Sequence, residues 1–220
     1  MKVNLAKVNV DQPIFSRIIP DHEVLNQSLK LLIEDYRASN PKSNKTNVKA
    51  WHTHYMLHRS EPKFLPFIDM VHGYIKSLCR EHYYAGEDID FACSNFWAMM
   101  YEEGDYTLPH IHFPANFSAV YYIDVEPDAS PIVFGKNVKV QPENGMLLIF
   151  PGDVLHSVPE TKGKRTLVSM NFEKLPDVEL MEDLVDDLKP KSRTNLDPEP
   201  HEKNLAPSFY KESNGRSHWL

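Results

Sequence analysis

Three histidines and one arginine are the residues of this chain whose types and spacing best suit chemistry. His110 and His112 are separated by a single residue, His156 comes much later in the chain, and Arg165 follows it closely. Neutral imidazole is the commonest protein ligand for zinc, iron, copper and nickel. A catalytic metal needs about three protein ligands, with other positions left open. A buried arginine needs an anionic partner such as a carboxylate. The pattern therefore predicts a metal held by His110, His112 and His156, with a bound anion beside it.

Short β-strands are expected to position these four residues. Side chains alternate along a strand, so an H-x-H pair on an extended segment presents both imidazoles to one face. His156 follows an apolar run, and Arg165 opens another run of β-forming residues. Turn clusters separate predicted strands at residues 91–101, 107–113, 117–125, 132–134, 138–140, 146–150, 154–158 and 166–172. About eight short strands at this spacing predict a sandwich or barrel.

Two amphipathic helices precede the strands. Residues 21–37 carry one apolar stripe and have Asp21 as a candidate N-cap, and residues 65–82 carry a second stripe. We expect one catalytic domain over residues 1–176, with a helical part at 1–88 and a β core at 89–173. Residues 177–220 are predicted to form an acidic helix and an extended, proline-punctuated arm. Such an arm is able to exchange between the subunits of a homodimer, and the sequence leaves the oligomeric state open.

The composition restricts the possible partners and the compartment. The formal charge is −7 over 220 residues, which argues against binding to duplex nucleic acid or to an anionic membrane. The two cysteines form neither a disulfide framework nor a C-x-x-C metal pair, as expected in a reducing compartment. No apolar run approaches the length of a membrane span, and the N-terminus lacks the apolar stretch of a signal peptide. These features predict a cytoplasmic protein.

At this level of detail the motifs carry a family resemblance. The string P-H-x-H-x-P, then S-A-V-Y-Y from Ser118, then L-L-I-F-P and the segment from Arg165 to Asn171 resemble the Fe(II)/2-oxoglutarate-dependent oxygenases. The likeness is to the prolyl-hydroxylase branch, and more closely to a group of uncharacterised oxygenases of bacteria and phages. It covers roughly residues 91–173. It implies a mainly β fold with flanking helices, namely a double-stranded β-helix (a jelly-roll or cupin-like barrel) with the N-terminal helices packed outside.

The resemblance also implies cofactors, an activity and site residues. Fe(II) and 2-oxoglutarate would be the cofactors, and the activity would be a dioxygenase that hydroxylates a C–H bond of a small molecule or protein side chain, consuming O₂ and releasing succinate and CO₂. His110 and His156 would be iron ligands. Arg165 would pair with the distal carboxylate of 2-oxoglutarate, while Tyr121 would help to hold it and Tyr101 would line its pocket.

His112 departs from the family pattern, because most relatives have Asp or Glu at that position. A carboxylate lowers the net charge at the iron, whereas a third neutral imidazole does not. Three arrangements are open: a three-histidine site, a site with two protein ligands and His112 outside them, or a carboxylate from elsewhere, such as Asp153.

Two other functions compete with the oxygenase. Gly104 with the H-x-H pair, and Gly145 with Pro151 and His156, resemble the two cupin motifs, which would give a metalloenzyme of the same fold that does not use 2-oxoglutarate. The glutamate expected after H-x-H is absent, and cupins require no counterpart of Arg165. The third possibility is a metal-free β-barrel binding module.

The substrate does not follow from the sequence. Candidate residues for a substrate pocket are Trp51, Asn95, Trp97 and Asn171. A second H-x-H pair, His52 and His54, has no third ligand at a matching distance, so we do not assign it to the site.

Overall fold

The computed structural model describes residues 11–43, 47–83 and 89–176. These residues contain three α-helices and eleven β-strands, with a 3₁₀ turn before the third helix and a π-helical turn after it. The helices are α1 (His22–Ser39), α2 (Leu57–Ser60) and α3 (Leu65–Leu78), flanked by the turns Pro62–Phe64 and Cys79–Tyr83. The strands are β1 (Phe15–Ile18), β2 (Val48–Lys49), β3 (Trp51–His52), β4 (Phe91–Tyr101), β5 (Tyr106–His110), β6 (Phe117–Val125), β7 (Ile132–Phe134), β8 (Val138–Val140), β9 (Met146–Pro151), β10 (His156–Val158) and β11 (Arg165–Lys174).

The strands form two antiparallel sheets that enclose one interior. The larger sheet has the order β1-β9-β6-β11-β4-β3, and the smaller has the order β2-β5-β10-β7-β8. Apolar residues from both sheets share one buried cluster, which includes Tyr122 and Leu148 from the larger sheet and Phe134 and Val158 from the smaller. Closing two sheets over a common core in this way gives the predicted barrel.

The larger sheet is buried on both faces because the helices cover its outer face. Alternate residues of β6 divide between two cores: Ala119 and Tyr121 join the helix-side core, whereas Val120 and Tyr122 join the interior one. This explains why β6 is apolar at nearly every position rather than alternating. The residues whose side chains face the interior are the ones that can build a site.

Helix α1 anchors the helical layer on β6. Leu29 and Ile33 are buried in the helix-side core, and Asn26 Nδ2 donates a hydrogen bond to the Ile123 carbonyl at 2.7 Å. Asp21 occupies the predicted N-cap position, but in a left-handed conformation and without a side-chain capping bond. Both predicted helices are therefore present and pack outside the barrel.

Three short strands at the sheet edges were not predicted. β1 pairs with β9, β2 with β5 and β3 with β4. β2 and β3 have two residues each, too few to produce a period in the sequence. β5 also ends at His110, so His112 lies beyond the strand on which the H-x-H argument placed it.

The predicted acidic helix and arm at residues 177–220 lie outside the described residues. The division of the chain at residue 176 stays a prediction. Within the described ranges, none of the helices combines the length and apolar character that crossing a bilayer requires.

Candidate metal centre

The three histidines meet at one end of the smaller sheet. His110 ends β5, His156 begins β10, and the two are directly paired across the strands. The imidazole centroids of His110 and His156 are 4.3 Å apart, and that of His112 is 4.9 Å from the first and 5.0 Å from the second. One candidate ligand atom from each residue lies within 4.8 Å of the others. The cluster is compact enough to hold a single ion.

Backbone carbonyls fix the tautomers of two of these rings. His110 Nδ1 lies 2.9 Å from the Leu108 carbonyl, and His156 Nδ1 lies 2.9 Å from the Val154 carbonyl. Because a carbonyl only accepts, each Nδ1 carries the proton and each Nε2 keeps its lone pair. A hydrogen bond from the ring nitrogen that does not bind the metal is the usual support of a metal-binding histidine.

The His112 segment is held by close backbone packing rather than by a strand. The His112 N–H donates to the Gly152 carbonyl at 2.7 Å, and the His112 carbonyl accepts from the Ala115 N–H at 2.9 Å. A Cβ atom on Gly152 would lie 2.2 Å from the Ala115 carbonyl oxygen. Glycine therefore allows the turn before His156 to approach the turn after His112.

Burial keeps all three imidazoles in the neutral form. It lowers the pKa of His112 to about 3 and that of His156 to about 4, with further lowering from the neighbouring histidines. Burial lowers the pKa of His110 as well. A metal ligand must be deprotonated, so these rings do not need to lose a proton when an ion binds at neutral pH. Three neutral imidazoles, two of them oriented by backbone carbonyls, fit a divalent first-row transition metal.

A buried cation, Arg165, lines the same cavity as the three histidines. Arg165, at the start of β11, is 2% exposed, and its Nη1 donates to the Ser130 carbonyl at 2.7 Å. Its guanidinium carbon lies 4.3 Å from the ring centroid of Tyr101. Its Nε and Nη2 atoms are buried without any hydrogen-bond partner among the described residues. Two parallel N–H groups of this kind match the two oxygens of a carboxylate.

The two tyrosines expected beside the anion differ in position. Tyr101 lines the cavity, and its hydroxyl hydrogen-bonds to that of Thr107. Tyr121 does not reach the cavity: its side chain lies in the helix-side core and donates a 2.6 Å hydrogen bond to Asn26 Oδ1. Strand alternation instead brings Tyr122 into the cavity, where burial raises the pKa of its hydroxyl to about 12 although the Arg165 charge acts in the opposite direction.

Of the residues predicted for a substrate pocket, some line the cavity and one does not. Asn95, Trp97 and Asn171 line the cavity, and the rings of Trp97 and His112 are 5.6 Å apart. Trp51 does not line it, because its indole packs in the helix-side core and its Nε1 donates to the Asn40 carbonyl. The next residue, His52, does line the cavity. The H-x-H spacing of His52 and His54 predicts a metal ligand rather than a cavity wall, so it did not indicate this position for His52.

One cavity of about 370 Å³ joins the histidines, Arg165 and the substrate-pocket candidates. Asp153, the alternative carboxylate ligand, is exposed and accepts from Gln12 Nε2 at 3.2 Å. It is not part of the cluster of potential ligands, which within the described residues consists of the three histidines.

Solved structures that match this fold include two prolyl hydroxylases and an alpha-ketoglutarate-dependent carbocyclase. A prolyl-4-hydroxylase from Pseudomonas putida matches with a TM-score of 0.55 and 17% identity, over 74% of this chain and 94% of that one. A prolyl hydroxylase from Trichoplax adhaerens, in complex with a hypoxia inducible factor peptide fragment, matches with a TM-score of 0.57 and 14% identity, over 79% and 86%. A non-heme alpha-ketoglutarate-dependent carbocyclase from nogalamycin biosynthesis matches with a TM-score of 0.57 and 11% identity, over 73% and 79%.

No family model matches the sequence, and no curated protein matches it significantly. At these identities the structural matches establish the fold. The predicted double-stranded β-helix with outer helices is confirmed. The histidine cluster fits Fe(II), and the cationic end of the cavity fits a carboxylate of 2-oxoglutarate.

Proposed function

We propose that this protein is an Fe(II)- and 2-oxoglutarate-dependent dioxygenase that hydroxylates a C–H bond of a small molecule or protein side chain. The observation that carries the proposal is Arg165. Its guanidinium is 2% exposed, two of its nitrogens have no partner among the described residues, and it shares a cavity with three convergent imidazoles. A buried charge with open donors is costly unless a ligand pairs with it.

The carboxylate ligand needs a fixed orientation, and the cavity supplies it. Arg165 would bind a carboxylate through Nε and Nη2, while its contacts with Ser130 and Tyr101 hold the guanidinium in place. Tyr122, rather than Tyr121, is suited to donate a hydrogen bond to the same carboxylate because its side chain lines the cavity and its hydroxyl stays protonated.

The metal would be held by Nε2 of His110 and His156 and by one ring nitrogen of His112. Three protein ligands leave positions open for 2-oxoglutarate and O₂. When bound, Fe(II) and 2-oxoglutarate supply the oxidising chemistry that couples release of succinate and CO₂ to C–H hydroxylation. The protein would position both groups, and the buried walls formed by Trp97 and Leu167 limit the access of water.

A cupin-type metalloenzyme without a cosubstrate is the second candidate, favoured by three convergent histidines that would hold a metal ion without any further ligand. It leaves the paired open donors of Arg165 unexplained. The two candidates make different predictions about 2-oxoglutarate.

The test is release of labelled CO₂ from 1-¹⁴C-2-oxoglutarate by protein loaded with Fe(II), in the presence of ascorbate and O₂. Even without a substrate, we expect slow release above that of a sample loaded with Zn(II). Titration of 2-oxoglutarate into the Zn(II)-loaded protein provides a second readout, independent of turnover. Absence of both binding and CO₂ release would rule out the dioxygenase, and retention of tightly bound metal in that case would favour the cupin alternative.

A further inference from the structure

The cavity continues beyond the histidines into a region that the proposed cofactors do not account for. Along β11 the cavity-lining residues run from Arg165 through Leu167 and Ser169 to Asn171. Across the sheet, Trp97 is paired with Ser169, and Asn95 with Asn171. The cofactor end is therefore cationic, and the opposite end is lined by amides and aromatic rings.

His52 contributes a buried acceptor beside Trp97. It is 1% exposed, and its Nδ1 hydrogen-bonds to the Thr53 carbonyl. That bond requires a proton on Nδ1. Burial lowers the pKa of His52, so the ring stays neutral and Nε2 is a bare lone pair without a partner among the described residues.

Asn95 contributes a donor. Its Oδ1 accepts from Asn171 Nδ2 at 3.3 Å and from Ser94 Oγ at 3.5 Å. Asn171 is itself oriented by Ser118 Oγ, which donates to Asn171 Oδ1 at 2.8 Å. With its oxygen engaged, the Asn95 amide presents Nδ2, which has no partner among the described residues.

Aromatic rings form the wall between these two polar groups. The rings of His52 and Trp97 lie nearly parallel, with centroids 6.1 Å apart. The Tyr55 ring is roughly perpendicular to both, and its centroid lies 5.0 Å from that of His52 and 5.2 Å from that of Trp97. Such a wall favours a flat group.

The charges of the lining side chains disfavour an anionic ligand in this region. The cavity-lining side chains include one cation, Arg165 at the cofactor end, and one carboxylate, Glu173, which is exposed. No lysine or second arginine is among them, so apart from the proposed metal ion a substrate carboxylate or phosphate near Trp97 would have no side-chain countercharge within the described residues.

We propose that His52, Asn95, Trp97 and Tyr55 form the substrate subsite, and that it takes an uncharged planar amide, such as a ring carboxamide, a lactam or a peptide bond. The amide N–H would donate to His52 Nε2, its carbonyl would accept from Asn95 Nδ2, and its plane would lie against Trp97. This rests on the proposed function only in placing the subsite beside the metal.

Benzamide is a suitable probe, with methyl benzoate and benzoate as analogues that lack the N–H or add a charge. Each would be titrated by ligand-detected NMR into the full chain loaded with Zn(II) and 2-oxoglutarate. We expect benzamide to bind at least about tenfold more tightly than either analogue, since each leaves a buried hydrogen-bonding group unpaired. Equal binding of the three probes would overturn the inference.

Variants assign the contacts. His52→Leu should weaken benzamide binding about tenfold, whereas His52→Gln, which keeps an acceptor, should restore most of it. The matched control is His54→Leu: His54 is nearby and hydrogen-bonded to the Met56 N–H and Ser60, but it does not line the cavity. If His54→Leu weakens benzamide as much as His52→Leu, the effect is structural and the inference fails.

Asn95→Asp reverses the polarity of the other contact. It should weaken benzamide and strengthen benzamidine, its cationic isostere, because a carboxylate now faces the ligand. An unchanged preference for benzamide over benzamidine would contradict the role of Asn95. Tighter binding of N-acetylphenylalanine N-methylamide than of benzamide would identify a peptide as the source of the amide, and weaker binding a small molecule.

The affinity for 2-oxoglutarate, measured on the same samples, separates the two proposals. If 2-oxoglutarate binds and the amide probes are not distinguished, the subsite inference alone is wrong. If 2-oxoglutarate does not bind, the proposed function is wrong, and the probe titrations are then interpreted on the Zn(II)-loaded protein.

Discussion

Replacing Arg165 with methionine should remove cosubstrate binding while leaving the fold intact. Methionine is apolar and similar in length, so it fills the volume of the arginine stem. Losing one partner of a buried, hydrogen-bonded charge pair costs about 2–5 kcal/mol, or about 30- to 4,000-fold in affinity. With two open nitrogens available to one carboxylate, we expect the loss of 2-oxoglutarate affinity to exceed about 100-fold.

The same substitution should have little effect on the stability of the ligand-free protein. The hydrogen bond to Ser130 contributes about 1.5–3 kcal/mol and the contact with Tyr101 about 1–2 kcal/mol. Burying a guanidinium without a countercharge costs several kcal/mol. These contributions nearly cancel, so the free energy of unfolding of Arg165→Met should lie within about 1 kcal/mol of the original value, or above it.

Urea denaturation with and without 2-oxoglutarate, on Zn(II)-loaded protein, measures both effects. At a ligand concentration about 100 times the Kd of the original protein, the original should gain about 2.7 kcal/mol and the variant less than about 0.4 kcal/mol. Lys164→Met is the matched control, since Lys164 is an exposed neighbour paired with Glu102, and it should retain the full gain. Two results would refute this reasoning about Arg165. One is an Arg165→Met protein that gains nearly as much stability from 2-oxoglutarate as the original, and the other is one that is already unfolded in the absence of urea and ligand.

Three further predictions concern other residues. Tyr122→Phe should weaken 2-oxoglutarate binding about tenfold through a lost hydrogen bond, whereas Tyr121→Phe should leave it unchanged and cost about 1 kcal/mol of stability, both measured by titration and urea denaturation. His112→Ala should abolish tight Fe(II) binding in an anaerobic titration, and His112→Asp should retain it. Burial raises the pKa of Cys79 to about 11 and of Cys93 to about 12, so iodoacetamide at pH 8 should alkylate neither thiol until urea unfolds the chain.

Each has a contrary outcome. A cosubstrate defect in Tyr121→Phe alone would reverse the assignment of the two tyrosines, and full metal affinity in His112→Ala would remove that ring from the ligand set. For the thiols the folded pKa is raised, so their contribution to stability is complete below the unfolded pKa of about 8.5 and is lost as the pH rises toward the folded values. Stability that increases with pH above 8.5 would contradict burial of the thiols.

The barrel and the histidine cluster were accessible from sequence because their signals are local. The strand ending at His110 and the apolar run before His156 each carry a clear pattern, and antiparallel pairing brings their ends together. Each of the two predicted helices is likewise indicated by one apolar stripe. The eight predicted core strands are all present, with ends that differ by a few residues.

The direction of a side chain could not be predicted where the sequence carries no hydrophobic period. Ala119 to Ile123 are all buried, since both faces of β6 are covered, so alternation does not tell which of Tyr121 and Tyr122 faces the cavity. β3 has only two residues, so Trp51 and His52 could not be assigned to opposite faces before the pairing with β4 was known. In both cases the pairing of strands distant in the sequence determines which residue faces the cavity.

The central claim is that one cavity holds Fe(II) and 2-oxoglutarate, and anaerobic crystallography with both ligands tests it most directly. We expect one metal ion bound by His110, His112 and His156, and a 2-oxoglutarate carboxylate within hydrogen-bonding distance of Arg165 Nε and Nη2. A metal bound elsewhere, or a cavity in which no carboxylate pairs with Arg165, would contradict the claim.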